Sequence, residues 1–382
     1  MTDFASDGCY VGRLWRAGVG PCLVTLRGGH LWDITTNGAP TMRDLLELPD
    51  IAGFVAVIPG EDLGPLDALC PPEAGPEVTR LLAPSDLQAV KACGVTFARS
   101  MIERVIEERA GGDPARAGAI RERIAGAIGD SLRALVPGSE AAAEVKRLLQ
   151  AEGLWSQYLE VGIGPDAEVF TKAQAMAAVG HGASVGLHPI SRWNNPEPEV
   201  VLAVDSTGRI VGATLGNDVN LRDVEGRSAL LLGKAKDNNA SAALGPFIRV
   251  FDAQWGLEQV RQLELTLTVT GTDGFTMTGQ SRMAEISRDP VDLVAQTRGR
   301  HHQYPDGLML YLGTLFAPVQ DRDGPGQGFT HHLGDRVTIS APGLGALSNT
   351  VRLATEAPEW TFGTAALMRN LAGRGLLGQA IS

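Results

Sequence analysis

The run from Asn194 to Asp223, NNPEPEVVLAVDSTGRIVGATLGNDVNLRD, constrains this chain more than any other. Residues 200–204 are uninterruptedly apolar and residues 210–215 are apolar with small side chains, so both read as buried or half-buried strands. Ser206, Thr207 and Gly208 between them have the composition of a turn, with glycine able to supply the positive φ of a tight hairpin. With Thr207-Gly208 as a two-residue loop, Ser206 faces Arg209, and counting outward sets Glu197 opposite Asp218. Glu199 shares the face of Glu197 because strand side chains alternate, and directly opposed residues share a face as well. The three carboxylates would therefore converge, and like charges in one place repel unless protonated or bridged. A hard divalent cation such as Mg²⁺ resolves the repulsion, taking carboxylate oxygens and keeping positions for water or substrate. The alternative is three solvated acids on an exposed hairpin. Pro196 and Pro198, which interrupt a ladder at the start of the strand, weigh towards a site. A loop one residue longer would move Asp218 to the other face, whereas the shared face of Glu197 and Glu199 would survive.

At 382 residues the chain has room for one large domain and a small one. Lys+Arg 33 against Asp+Glu 44 leaves a net charge of −11, which disfavours nucleic acid or an anionic membrane surface as partner. Cys9, Cys22, Cys70 and Cys93 show no metal-binding or disulfide spacing, as expected of reduced thiols in a cytoplasm. Asp3 and Asp7 stand where a secretory signal would carry basic and then apolar residues, and no run of about 18 apolar residues predicts a membrane span.

Early residues read as short strands and a helix capped at Thr41, forming a small N-terminal domain over residues 1–72. The proline-rich stretch 71–77 marks the boundary, and residues 73–382 form the larger domain. Residues 87–97 suit a strand, after which Ser100 caps a helix carrying Glu103, with Glu107 and Glu108 facing water. Helices over 114–129 and 138–152 follow, and residues 155–160 read as extended. GKAKDNNASAALGP reads as a polar loop, QLELTLTVT as a strand with one polar face, and 290–297 as a helix. The histidine pairs His301-His302 and His331-His332 are assigned to surface loops, and Lys236 reads as an ordinary surface lysine. Helices early and strands late favour an α+β class over a doubly wound sheet. The match of Gly373, Gly375 and Gly378 to GxGxxG is set aside, because too few residues follow it to receive a dinucleotide.

PEPEVVLAV, GNDVNLRD, GKAKDNNASAALGP, the Gly313-Thr314 pair and LGDRVTI, in that order and spacing, resemble the fumarylacetoacetate hydrolase family. GVTFARSMIERVIEERA, LWSQYLEV, SRWNNPEPEVV, HHQYPDGLMLYLGTLFAPVQDRD and WTFG are similar to the branch that dehydrates 2-keto-3-deoxy-pentonates. The resemblance implies a mixed β-roll catalytic domain with inserted helices behind a small N-terminal α/β domain, assembled as a homodimer or higher homo-oligomer. It implies Glu197, Glu199 and Asp218 as metal carboxylates for Mg²⁺ or, alternatively, Mn²⁺ or Ca²⁺. Lys234 matches the lysine that braces the substrate's keto or enolate oxygen, and Gly313 with Thr314 the pair at its carboxylate end. Ser100 and Asn238 are further candidates for binding a small sugar-acid substrate. Many hydrolases of the family activate water with a histidine, a glutamate following three residues later. Ser100 stands at the histidine position here and only Glu103 is kept, which turns the expectation from C–C hydrolysis of a diketo acid to dehydration. Glu103 and Lys234 are thus the expected catalytic residues, and 2-oxoglutarate semialdehyde the expected product.

Overall fold

The computed structural model describes residues 4–68, 78–120, 135–151, 153 and 155–377. Short alternating segments near the start form β1 (Tyr10–Arg16), β2 (Gly20–Arg27), β3 (His30–Asp33) and β4 (Glu61–Pro65). β5 (Arg80–Leu82) and β6 (Ala89–Gly94) follow, and after the helical insertion come β7 (Glu168–Ala173), β8 (Ser184–Leu187) and β9 (Asn194–Asn195). The acidic hairpin is β10 (Pro198–Val204) and β11 (Ile210–Asp218); then come β12 (Asn220–Leu221) and β13 (Ala242–Val250). β14 (Glu264–Thr270), β15 (Thr276–Arg282), β16 (Leu308–Tyr311), β17 (Arg336–Ala341) and β18 (Gly345–Leu353) complete the strands described.

Among the described residues, one mixed sheet runs β4-β3-β2-β1-β13-β11-β10-β16-β6-β7, with β5 beside β1, and a second runs β15-β14-β17-β18-β8. The large sheet stays open between β4 and β7 rather than closing into a barrel. The architecture is mixed α+β, as the distribution of helices and strands predicts.

The hairpin owes its unbroken apolar run to cover on both faces. Val200, Leu202 and Val204 pack into a cluster with Leu265, Leu267 and Ile339 of the second sheet. Val201 and Ala203 point the other way, into a cluster with Val11, Met42, Ile51 and Ile248. Truncating a fully buried member such as Leu202 to alanine would cost about 2–5 kcal/mol. β14 has one packed face only, and its leucines and valine alternate with exposed or half-buried polar residues.

The hairpin departs from the expected turn, and two departures cancel. Its loop is three residues, closed by the Asp205 N–H donating to the Arg209 carbonyl at 3.0 Å. Val204 then pairs with Ile210 but Ala203 with Gly212, so Val211 is an extra residue in β11. That bulge restores the register to Pro198 opposite Asn217, and the Asp218 N–H donates to the Glu197 carbonyl at 3.0 Å. The opposition of Glu197 and Asp218 therefore holds although the turn does not.

Several expected elements differ. The helix Ala98–Ala110 begins after Phe97 without a side-chain cap, and Ser100 lies inside it with its hydroxyl donating to the Phe97 carbonyl at 2.9 Å. Residues 157–163 are a helix capped by Ser156, where extended chain was expected. The expected polar loop after Gly233 contains the helix Leu232–Lys236 and the start of β13. Helix Met42–Leu46 is capped by Thr41 and helix Pro290–Thr297 carries its proline at the first turn, both as the sequence predicts. Part of the 114–129 helix and the proposed boundary at residue 72 lie outside the described residues. The N-terminal strands join the same sheet as the hairpin, through Tyr10 opposite Arg249 and Val11 opposite Ile248.

Candidate active site

Two strand faces and one short helix build the site. β10 and β11 bring Glu197, Glu199 and Asp218 together, all buried, with carboxylate oxygens within 4.8 Å of one another. The Gly313 N–H donates to Glu199 Oε2 at 2.7 Å and the Thr314 hydroxyl to Glu199 Oε1 at 3.3 Å, which fixes the middle carboxylate. Glycine is required at 313, because φ is 102° and a Cβ would stand 1.9 Å from Thr96 Oγ1. Gly313 and Thr314 thus reach the predicted site, through contacts to Glu199.

The lysine assignment is corrected. Lys234 is exposed, on the outer side of the helix Leu232–Lys236, whereas Lys236 at its end is buried. The Lys236 ammonium lies 2.5 Å from Glu197 Oε2 and 3.0 Å from Asp218 Oδ2, and 5.7 Å from the centre of the Phe170 ring. Burial works to lower its pKa, but Asp218 and Glu197 overcome burial and hold it above the usual lysine range.

Arg104 closes the opposite side from the helix Ala98–Ala110. Its guanidinium pairs with Glu197, with Glu107 at 2.6 Å and with Glu225 at 3.3 Å. Glu107, expected in water, is 1% exposed and also lies 3.2 Å from Arg222. Burial opposes ionisation of Glu197, yet Arg104 and Lys236 keep its pKa below the usual range. Glu199 goes the other way: burial, then Asp218 and Glu197, push its pKa well above the carboxylate range.

Glu168 on β7 is the residue that sequence reasoning missed. It lines the same cavity as Arg104, Glu197, Asp218, Glu225 and Lys236, together with Ser100, Phe170 and Thr314. Burial, reinforced by Glu225, raises its pKa to about 7. The usable signal was the pair Glu168 and Phe170, two apart on a strand and so on one face. Glu103, by contrast, is half-buried on the helix outside the lining. Asn238 also lies outside it, its amide donating to the Lys234 carbonyl at 2.9 Å in a turn. Among the described residues no histidine lines the cavity. His331, expected in a surface loop, is buried against Asp335 at 3.1 Å, and Trp193 packs under the Arg222 guanidinium at 5.4 Å.

The donor set fits a divalent cation. Glu107, Glu197, Glu199, Asp218 and Glu225 meet Arg104, Lys172, Arg222 and Lys236, five buried acids against four buried cations, with half-buried Glu168 lining the cavity beside them. One acid in excess is costly in such an interior, and Glu199 carries the strain as its raised pKa. Oxygen ligands from three carboxylates are the preference of Mg²⁺ and similar hard ions.

Residues 164–352 match the C-terminal domain of fumarylacetoacetate hydrolase. The chain is 31% identical over 194 residues to a probable 2-keto-3-deoxyxylonate dehydratase of Haloferax volcanii, covering 51% of this chain and 63% of that protein. It is 31% identical over 155 residues to the 2-dehydro-3-deoxy-D-arabinonate dehydratase of Saccharolobus solfataricus, covering 41% and 51%. The matched segments thus span less than two thirds of either relative. In fold it resembles a 2-keto-3-deoxy-D-arabinonate dehydratase in its apo form, with TM-score 0.62 and 19% identity over 90% of this chain and 99% of that one. The fold also resembles that enzyme complexed with magnesium and 2,5-dioxopentanoate, TM-score 0.61 at 19% identity over the same shares. Residues 164–352 thus carry the likeness to the fumarylacetoacetate hydrolase family.

Proposed function

We propose that the chain is a magnesium-dependent dehydratase that converts a 2-keto-3-deoxy-pentonate of the xylonate or arabinonate type to 2-oxoglutarate semialdehyde, a step of non-phosphorylative pentose catabolism. The observation that carries this reading is the convergence of three buried carboxylates, two of which, Glu197 and Asp218, line one small cavity with Lys236 and with Glu168, a glutamate poised near neutrality. The names of the two curated relatives support the substrate class, and a homologous fold complexed with magnesium and 2,5-dioxopentanoate supports metal and product.

Glu197, Glu199 and Asp218 would hold the cation. When bound, it supplies Lewis acidity to the substrate's carboxylate and adjacent ketone, which makes the C3 hydrogens acidic. Lys236, taking the role expected of Lys234, braces the ketone oxygen as negative charge gathers there. Glu168, in place of Glu103, accepts the C3 proton as carboxylate, its pKa of about 7 suiting exchange near neutral pH. The C4 hydroxyl leaves with a proton as water. A proton then leaves C5 and another is returned to C3, giving the C4–C5 enol, whose hydroxyl proton is exchanged for one on C4 to leave the aldehyde, with one water lost in total. Ser100 and Thr314 offer hydroxyls to the substrate's oxygens from the cavity wall. A lining without histidine among the described residues favours elimination over the hydrolase chemistry of a diketo acid. Mn²⁺ and Ca²⁺ are substitutes to test beside Mg²⁺, and a homodimer or higher homo-oligomer belongs to the same proposal.

The test is incubation of metal-stripped protein with 2-keto-3-deoxy-xylonate and 2-keto-3-deoxy-arabinonate, with and without Mg²⁺. Semialdehyde is expected only when the metal is restored. Silence on both sugar acids, with pyruvate released from an acylpyruvate, would overturn the reading.

A further inference from the structure

β7 carries a buried cation that the proposed reaction leaves without a task. Val90 of β6 pairs with Ala173 and Lys91 with Thr171, so Lys172 is an extra residue in β7. A bulge of this kind re-aims the side chain it contains, and here Lys172 and Ala173 are consecutively buried, Lys172 at 0% exposure. Its Nζ lies 2.6 Å from the Lys236 carbonyl, 3.1 Å from the Val219 carbonyl and 2.7 Å from Asp218 Oδ1. The two carbonyls accept hydrogen bonds from this nitrogen and Asp218 Oδ1 stands at ion-pair distance, a surrounding that suits an ammonium. Burial works to lower the pKa of Lys172, but a neutral amine would turn its lone pair on one of the acceptors.

The contacts close a ring. Asp218 touches Lys172 through Oδ1 and Lys236 through Oδ2, and Lys172 returns to the main chain of Lys236. We propose that Lys172 is a positioning residue of the metal centre, locking the Asp218 carboxylate and the end of the Lys236 helix in place and so setting how tightly the site grips its divalent cation. The inference rests on the metal-site reading and is independent of which substrate is used.

The experiment titrates Mn²⁺ into substrate-free, metal-stripped protein, comparing wild type with Lys172→Met and Lys172→Gln, each checked for folding by thermal melting and near-UV circular dichroism. The methionine variant is expected to bind Mn²⁺ at least tenfold more weakly. Glutamine keeps two N–H groups for the two carbonyls and is expected to fall between. A lysine that merely neutralised charge would give tighter binding on removal, and one that merely supported the fold would lower the melting temperature at unchanged affinity. Either result overturns the proposal. Should the methionine variant not fold, the glutamine variant decides alone by the same criterion. Because no sugar acid is present, weakened Mn²⁺ binding supports the inference even if the dehydratase assay is negative.

Discussion

The carboxyl of Glu168 occupies the space in which a side chain on Gly94 would begin. The two residues face each other across β6 and β7, and a Cβ on Gly94 would stand 1.8 Å from Glu168 Oε2. The obstructed atom is the end of a flexible side chain, so Gly94→Ala should move the carboxyl rather than break the strand pair. We expect nearly unchanged thermal stability with kcat/KM reduced by about 10²-fold, the cost of an ångström of misplacement. Equal activity in the alanine variant would remove Glu168 from the chemistry.

Glu168 also predicts a pH profile. With its pKa raised to about 7 by burial and Glu225, the carboxylate form that accepts a proton is lost as pH falls through 7. The acidic limb of kcat/KM should therefore fall off near pH 7, and Glu168→Gln should lose activity across the range. A limb near pH 4.5, the ordinary glutamate value, would contradict the assignment.

The two lysines of the helix Leu232–Lys236 should behave oppositely. Lys236→Met removes the cation facing Glu197 and Asp218 and should abolish turnover, whereas Lys234→Met alters an exposed residue and should leave kcat within about twofold. Steady-state kinetics on the two variants would decide between the sequence assignment and the structural one.

Legibility from sequence followed periodicity. The strand period of two placed Glu197, Glu199 and Asp218 correctly because β10 and β11 are regular at that end, and the bulge at Val211 cancelled the longer loop. Lys234 was favoured over Lys236 because nothing in GKAKD tells which lysine turns inward; that depends on a helix one and a half turns long packed by tertiary contacts. Glu107 was placed in water because of its two partners only Arg104 is near in sequence, and the other, Arg222, lies far away. Glu168 was missed for the same reason, since burial and the approach of Glu225 give it its character and neither is local.

Away from the site, His181 ties stability to pH. Its Nδ1 accepts a hydrogen bond from the Ser348 N–H at 3.2 Å, a role only the neutral ring can fill. Burial lowers its pKa to about 4. The unfolded chain takes up a proton near pH 6.5 and the folded chain does not, so stability is full above 6.5 and is lost as pH falls towards 4. The loss should reach roughly 2–3 kcal/mol. Urea midpoints at pH 7 and pH 4 should differ more for wild type than for His181→Gln, and equal differences would contradict the linkage.

The measurement closest to the central claim is anomalous diffraction from crystals grown with Mn²⁺. The account predicts a single strong peak within bonding distance of carboxylate oxygens of Glu197, Glu199 and Asp218, absent when Glu199 is replaced by glutamine, which keeps the shape and the Gly313 contact but loses the charge. A peak elsewhere, with Glu197 and Asp218 still paired to Arg104, Lys172 and Lys236 and Glu199 still held by Gly313 and Thr314, would contradict it.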